Sequence, residues 1–286
     1  MKKLFRFIKS ILQLPSEVRK LRNLAYSLIE INQKIAFELY RKTDTMDNKG
    51  FRVNSQFEED GLLLYVFSKI GFTNRKGAEF CCGTGYECVL ANFVLYHGFH
   101  ALLIDGDDDN IAEAEHFFAN HPNTILAPPV IKKAWITKDG INDLLKSNGF
   151  IGEIDLLSID LDGVQYHVLK ELTAVSARVI VFESSNVIPA DRALTVPYSD
   201  DFNIHSGKYD SEFRSVSHLG TVKLMRSKGY RLIGAHRHGF NLIFLRNDVG
   251  QDIFPEVDYK QYYDTVHSHN RRTAWEKVSS LPWIEV

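Results

Sequence analysis

Three observations predict an α/β fold on a Rossmann-like, doubly wound sheet of seven strands. First, short apolar runs suited to buried strands alternate with helical patterns from residue 51 to residue 250; that alternation makes βαβ units, hence a parallel sheet covered on both faces. Second, the first run ends in Gly83-Thr-Gly85, and an acid, Asp105, stands 20 residues after Gly85 at the end of the second run. Third, the last two runs lie only a few residues apart, which suits an antiparallel hairpin, because a parallel pair would need a crossover. The last strand is therefore expected to run antiparallel to the others.

Residues 1–50 read as a helical appendage and linker. Leu4, Phe7, Ile8 and Ile11 share one helical face, with Lys2, Arg6 and Lys9 elsewhere. This suits either peripheral contact with an anionic membrane surface through residues 1–14 or docking on the protein's own body. Arg6 and Lys9 break the apolar run, and no small-x-small site follows, so a signal peptide is excluded. Val18, Leu21, Ala25, Leu28, Asn32, Ile35 and Leu39 then fall at alternating spacings of three and four, a heptad seam with one polar a-type position. Two readings stay open: a coiled coil that makes a homodimer, or an amphipathic helix packed on the domain. Residues 43–50 form a polar linker.

The domain at 51–250 follows element by element. Leu62–Ile70 is long enough for a helix, Gly77–Cys82 is a short strand, and a helix runs through Leu95. Ala101–Ile104 makes a second strand, 111–119 a helix, and Ile125–Lys132 a third strand despite Pro128-Pro129. A short helix at Ile141–Lys146 precedes a strand at Ile154–Ile159, a helix at Val164–Leu172 and a strand at Val179–Phe182. Leu219–Lys228 is helical, and Tyr230–Ala235 with Asn241–Leu245 forms the hairpin. Residues 251–286 read as a helical extension.

Composition narrows the function. The 286 residues carry 34 Lys+Arg against 36 Asp+Glu, and 44% are hydrophobic. Residues 1–22 hold seven basic residues and one acid, so they carry +6 and leave the rest at −8. Such a body is no nucleic-acid binder by charge. Three cysteines, all between 81 and 88, make no disulfide framework and lack zinc spacing, which fits a reducing, cytoplasmic location.

In Glu79-Phe-Cys-Cys-Gly83-Thr-Gly85 the glycines let the backbone approach a ligand, and a helix N-terminus follows. Position 88, where a dinucleotide motif needs its third glycine, is Cys88, which disfavours a pyrophosphate-bearing dinucleotide. Asp105 stands where an acid accepts hydrogen bonds from ribose hydroxyls. Asp105-x-Asp107-x-Asp109 resembles a calcium loop, but its sixth residue is Asn110 and its twelfth is His116, so calcium is rejected.

Together with Ser55-Gln-Phe-Glu-Glu-Asp-Gly61, Leu102-Leu-Ile-Asp-Gly106, Asp155-Leu-Leu-Ser-Ile-Asp-Leu-Asp-Gly163, Gly229-Tyr-Arg-Leu-Ile-Gly234 and Gly239-Phe-Asn-Leu-Ile-Phe244, this segment resembles the class I S-adenosylmethionine (SAM)-dependent methyltransferases. The likeness is nearest to the FkbM-type and related bacterial proteins and covers roughly residues 54–250. It implies a seven-stranded sheet with an antiparallel last strand, and SAM as cofactor. Gln56, Glu79, Gly83, Gly85, Asp105 and Gly106 are its implied cofactor contacts, with Glu79, Gly83 and Gly85 at the methionine part and Asp105 at the ribose. The chain departs from many relatives at Cys81 and Cys82, and no acid follows the third strand to hold the adenine amine. Trp135, just after that strand, is expected to stack on the adenine instead.

Asp160-Leu-Asp162-Gly163 ends the fourth strand, on the edge where open α/β sheets bind ligands. Two carboxylates at that spacing suit a shared divalent cation, magnesium or manganese, with Glu183 at the end of the fifth strand as a third ligand. Asp162, or His167 one helical turn later, is the expected general base. Asp160 capping a turn while Asp162 faces water is the bland alternative. Single histidines at 236 and 238 are expected to be structural, and His267-x-His269 to be solvated. Residues 187–215 are long, polar and aperiodic, with aromatic and acidic residues that suit a sugar ring. The expected function is therefore O-methylation of a hydroxyl on a sugar, glycan or related small polar acceptor. The alternatives are a metal-dependent nucleotide-sugar glycosyltransferase using Asp160-x-Asp162, and a non-catalytic dimeric scaffold.

Overall fold

The computed structural model describes residues 2–208 and 210–286, and side chains except those of 2–15, 270 and 272. The membrane-contact face expected in residues 1–14, and Tyr209 of the long loop, lie outside the described side chains. The chain divides into two units, Met1–Thr45 and Met46–Val286. The first is essentially one helix, α1 (Lys2–Tyr40), which continues through Pro15. No helix among the described residues is long and apolar enough to cross a membrane.

In the second unit, α2 (Glu59–Ile70) is positioned by its own acids. Asp60 Oδ2 accepts the backbone N–H groups of Val53, Asn54 and Ser55 at 2.6, 2.7 and 2.9 Å, which holds the preceding loop against the helix. Glu59 accepts Phe57 N–H and the Asn241 side-chain amide. Gly61 is obligatory there, since a Cβ would lie 2.2 Å from the Lys49 carbonyl oxygen.

There follow β1 (Lys76–Phe80), α3 (Val89–His97), β2 (His100–Asp105), α4 (Asp108–Ala119), β3 (Val130–Lys133), α5 (Ile141–Ser147), β4 (Gly152–Ile159), α6 (Gln165–Glu171) and β5 (Val175–Glu183). After β6 (Leu194–Thr195) come α7 (His218–Ser227), β7 (Tyr230–Ala235) and β8 (Asn241–Arg246). The main sheet has seven strands in the order β3-β2-β1-β4-β5-β8-β7. The first five are parallel, and β8 runs antiparallel to both β5 and β7. The doubly wound sheet with one antiparallel strand is thus present, and that strand is inserted beside β5 instead of lying at the edge. Residues 242–245 of β8 are fully buried, as an interior strand requires.

Two elements differ from the sequence reading. β3 begins at Val130, after Pro128-Pro129, because neither proline can donate to a ladder. Ile125 and Leu126, expected in the strand, are exposed instead. Residues 251–286 contain α8 (Lys260–Tyr263) and α9 (Val266–Val278), and also β9 (Ile284–Glu285), which pairs antiparallel with β6. The long polar segment is consequently tied down. It buries Val187, Ile188, Leu194, Val196, Phe202, Ile204 and Phe213.

Candidate active site

The carboxyl ends of β1, β2 and β4 surround a cavity of about 570 Å³. Cys81, Gly83, Asp105, Gly106, Trp135, Asp160 and Asp162 line it, with Phe202–His205 of the long segment as its cover. Gly83 has φ 54°, and a Cβ there would point into open space, so the bare backbone faces the cavity. Its N–H donates to Asp105 Oδ2 at 2.9 Å. Asp105 Oδ1 accepts Asp107 N–H at 3.0 Å and the Asn110 amide at 3.2 Å. The acid at the end of β2 is thereby fixed in direction.

The indole of Trp135 lies so close to Gly106 that a Cβ would come within 2.9 Å of the ring. Its Nε1–H donates to the Asp200 carbonyl, which ties the cover to the wall. An apolar slot of about 50 Å³ opens between Gly106, Trp135, Ile136, Leu161, Val164 and Phe202. Phe202 reaches it because residue 163 is glycine: a Cβ there would fall 2.3 Å from the phenyl ring.

Not all expected cofactor residues meet this cavity. Glu79 turns away and caps α3, accepting Val89 N–H at 2.9 Å, Leu90 N–H at 2.7 Å and the Cys88 thiol at 3.0 Å. The reason is local: Cys88, at the N-cap of α3, supplies no side-chain cap, so the helix takes its acceptor from β1. Burial pushes the Glu79 carboxyl up to about 7. Gly85 packs against α4, where a Cβ would meet Phe118 at 3.0 Å. Gln56 lines a second cavity, of about 340 Å³, with Phe57, Phe240, Asn186, Arg214 and Arg271.

Asp160 and Asp162 line both cavities and stand on the wall between them. With Glu183 they each offer an oxygen within 4.8 Å of the others. Asp160 Oδ1 is buried and accepts no hydrogen bond. Burial, and then the charge of Asp162, push the Asp160 carboxyl up to about 6. Burial, Asp160 and Asp162 hold Glu183 well above the ordinary carboxylate range. Asp162 sits in a left-handed turn at φ 49° and pairs with Arg214.

His167 is not brought to the site. Helix α6 turns it toward the long segment, where its Nε2 lies 2.9 Å from the Val196 carbonyl and its ring beside Tyr198. It borders neither cavity, and burial lowers its pKa. Three residues emerge that sequence reasoning passed over. Gln165 accepts Gly163 N–H and donates to Glu183 Oε2 at 2.8 Å and Ser215 Oγ at 2.7 Å, which steadies the carboxylate group. Arg214 and Arg271 lie within long polar or helical stretches that look solvated in sequence. Arg271 and His267, half-buried and not solvated as expected, come from α9, and Arg271 pairs with Glu212.

The sequence matches no protein-family model and no curated protein. Among solved structures, the chain is similar to the N-terminal domain of EvdMO1 with SAH bound (13% identity, 73% of this chain and 95% of that chain, TM-score 0.44). It is also similar to the methyltransferase domain of bacterial CtHen1-C (14% identity, 66% and 97%, TM-score 0.40). A third likeness is to magnesium protoporphyrin IX methyltransferase (ChlM) from Synechocystis PCC 6803 with bound SAM (10% identity, 60% and 69%, TM-score 0.35). The fold itself rests on the strand order and register of this chain: a doubly wound α/β sheet of seven strands whose last strand is antiparallel.

Proposed function

We propose that the protein is a SAM-dependent O-methyltransferase of the FkbM-like type, acting on a hydroxyl of a sugar, glycan or related small polar acceptor. One observation carries this reading: two cavities share a wall made by Asp160 and Asp162, so a donor in one meets an acceptor in the other at a carboxylate pair. The donor cavity has the features an adenosine needs. Asp105 lines the cavity at the end of β2, where it would meet ribose hydroxyls, the Trp135 indole offers a flat apolar wall for the base, and Gly83 presents bare backbone to the ligand. When bound, SAM supplies an electrophilic methyl group. The acceptor cavity combines the faces of Phe57 and Phe240 with carboxylates, Asn186 and two guanidinium groups, a lining suited to a polyhydroxylated ring.

In this arrangement the chain's own residues align the acceptor oxygen and receive its proton at the Asp160/Asp162 pair. Orientation supplies much of the acceleration. A magnesium or manganese ion fits the same group. Its donors are hard oxygens, three of them mutually close, and one buried oxygen of Asp160 has no partner. Asp160, Asp162 and Glu183 would hold the ion, and it would supply positive charge beside the acceptor. The Asp-x-Asp pattern also supports a second reading, a metal-dependent glycosyltransferase. Calorimetry of the full chain separates the two. SAM binding without added metal, and no binding of a UDP-sugar with manganese, is the expected result; the reverse overturns the proposal.

A further inference from the structure

The exposed face of α1 carries a second, independent feature. Val18, Leu21, Leu24, Leu28, Ile31, Ile35 and Leu39 are each 53–66% exposed, an unusual state for seven large apolar side chains in a row along one helix. In the heptad frame Val18 and Leu39 are a positions, Leu21, Leu28 and Ile35 are d positions, and Leu24 and Ile31 are g positions. Ala25 and Asn32 complete the a positions and are exposed as well.

We infer that this face is an interface with a second copy of the same chain, joined as a parallel, in-register two-stranded coiled coil. The partner is a copy because the stripe is self-complementary in that one register. Asn32 then meets Asn32 of the other helix, where paired amides satisfy each other. Glu17 at a g position meets Arg22 at the e position of the other helix with opposite charge, and the other g–e pairs, Leu24 with Ile29 and Ile31 with Ala36, are apolar. The area suffices too. Seven side chains more than half exposed offer on the order of 700 Å² per chain, so a pair buries about 1,400 Å², the size of a standard specific interface. The inference does not rest on the proposed activity, since none of these residues lines either cavity.

Light scattering of the full chain at micromolar concentration tests it, with Leu21→Asp/Leu28→Asp as the disrupting variant. Both substitutions fall on exposed positions, so the fold is expected to persist by circular dichroism. The expected result is twice the chain mass for wild type and the single mass for the variant. Asn32→Ile should tighten self-association about tenfold or raise the oligomer number, because a polar a position costs stability while it fixes two strands. Leu21→Cys, at a d position near one end of the stripe, should form an interchain disulfide well above the wild-type background, which reports the parallel register, since an antiparallel pair would hold the two thiols far apart. A monomeric wild type overturns the inference, as does a dimer that survives the double substitution. If a monomeric wild type binds phosphatidylglycerol vesicles through these same leucines, the stripe serves a lipid surface and the dimer is refuted.

Discussion

Asp162 combines two unusual features: a backbone at φ 49° and an ion pair with Arg214 on the wall between two cavities. A left-handed turn is tolerable for Asp, and Asp162 lines both cavities from it. Asp162→Asn keeps the shape and removes the charge. Donor binding should persist while turnover falls about 10²–10⁴-fold, measured by methyl transfer to a sugar panel. His167→Gln should leave turnover within about threefold of wild type, because that ring binds Val196 and borders neither cavity. Activity lost in EDTA and restored by magnesium or manganese would support the cation; full insensitivity would count against it. At the donor end, Asp105→Ala should weaken SAM binding by about 1.5–3 kcal/mol, the scale of a charge-assisted hydrogen bond. Gly83→Val should abolish it, since the side chain would occupy the cavity. Unchanged affinity in both, with the fold intact by circular dichroism, would refute the cofactor assignment. The positions of Asp105 and Asp160-x-Asp162 at strand ends were legible because such ends are readable from apolar runs. The directions of the Glu79 and His167 side chains were not, because a side chain's direction depends on what its neighbours need: α3 needed a cap, and α6 turned His167 toward the long segment.

At the scale of elements, β4 holds the site at one end and an anchor at the other. Asp155 is fully buried and accepts Thr73, Asn74 and Arg75 N–H groups at 2.7–3.0 Å, while Arg178 of β5 donates to it at 2.8 Å. Arg178 also donates to the Ile70 and Gly71 carbonyls, so it joins the end of α2 to the centre of the sheet. Removing one partner of such a pair leaves a buried charge unmatched. Arg178→Met is expected to cost about 3–5 kcal/mol in urea unfolding. A loss below about 1 kcal/mol would show that the backbone donors alone satisfy Asp155. The alternation of runs revealed each of these strands, whereas the start of β3 was misplaced because apolar character outweighed the missing N–H groups of Pro128 and Pro129.

The whole second unit carries a pH signature. Burial pulls His218, at the start of α7, down to about 4 and His236 down to about 3. Both lie below the imidazole's unfolded value of about 6.5, so the unfolded chain takes up protons that the fold rejects. Their stabilising contribution is present above about pH 6.5 and is lost as pH falls toward their folded values. Glu79, pushed up to about 7, and Asp60, pushed up to about 6, act oppositely: their contribution grows as pH falls. The prediction is therefore a difference. Between about pH 7 and pH 4, His218→Phe should lose less stability than wild type, by on the order of 3 kcal/mol. Parallel stability–pH curves would show that His218 titrates alike in both states.

What the sequence determined by itself was local or periodic. Alternating apolar runs specify parallel strands and their covering helices, a short connection specifies the antiparallel hairpin, and three-four spacing specifies the stripe on α1. Each is encoded in consecutive residues, since periodicity is set by the backbone's own geometry. Only the tertiary structure decided the composition of the second cavity. Gln56 before α2, Asp160 and Asp162 after β4, Glu183 at the end of β5, Arg214 before α7 and Arg271 on α9 converge there from more than 200 residues of chain. Nothing local marks Arg214 or Arg271, because an arginine in a polar stretch reads the same whether it meets water or a carboxylate at a cavity wall. Long-range packing makes that choice: β9 pairs with β6, the 187–215 segment is held down, and the guanidinium groups arrive beside the acids.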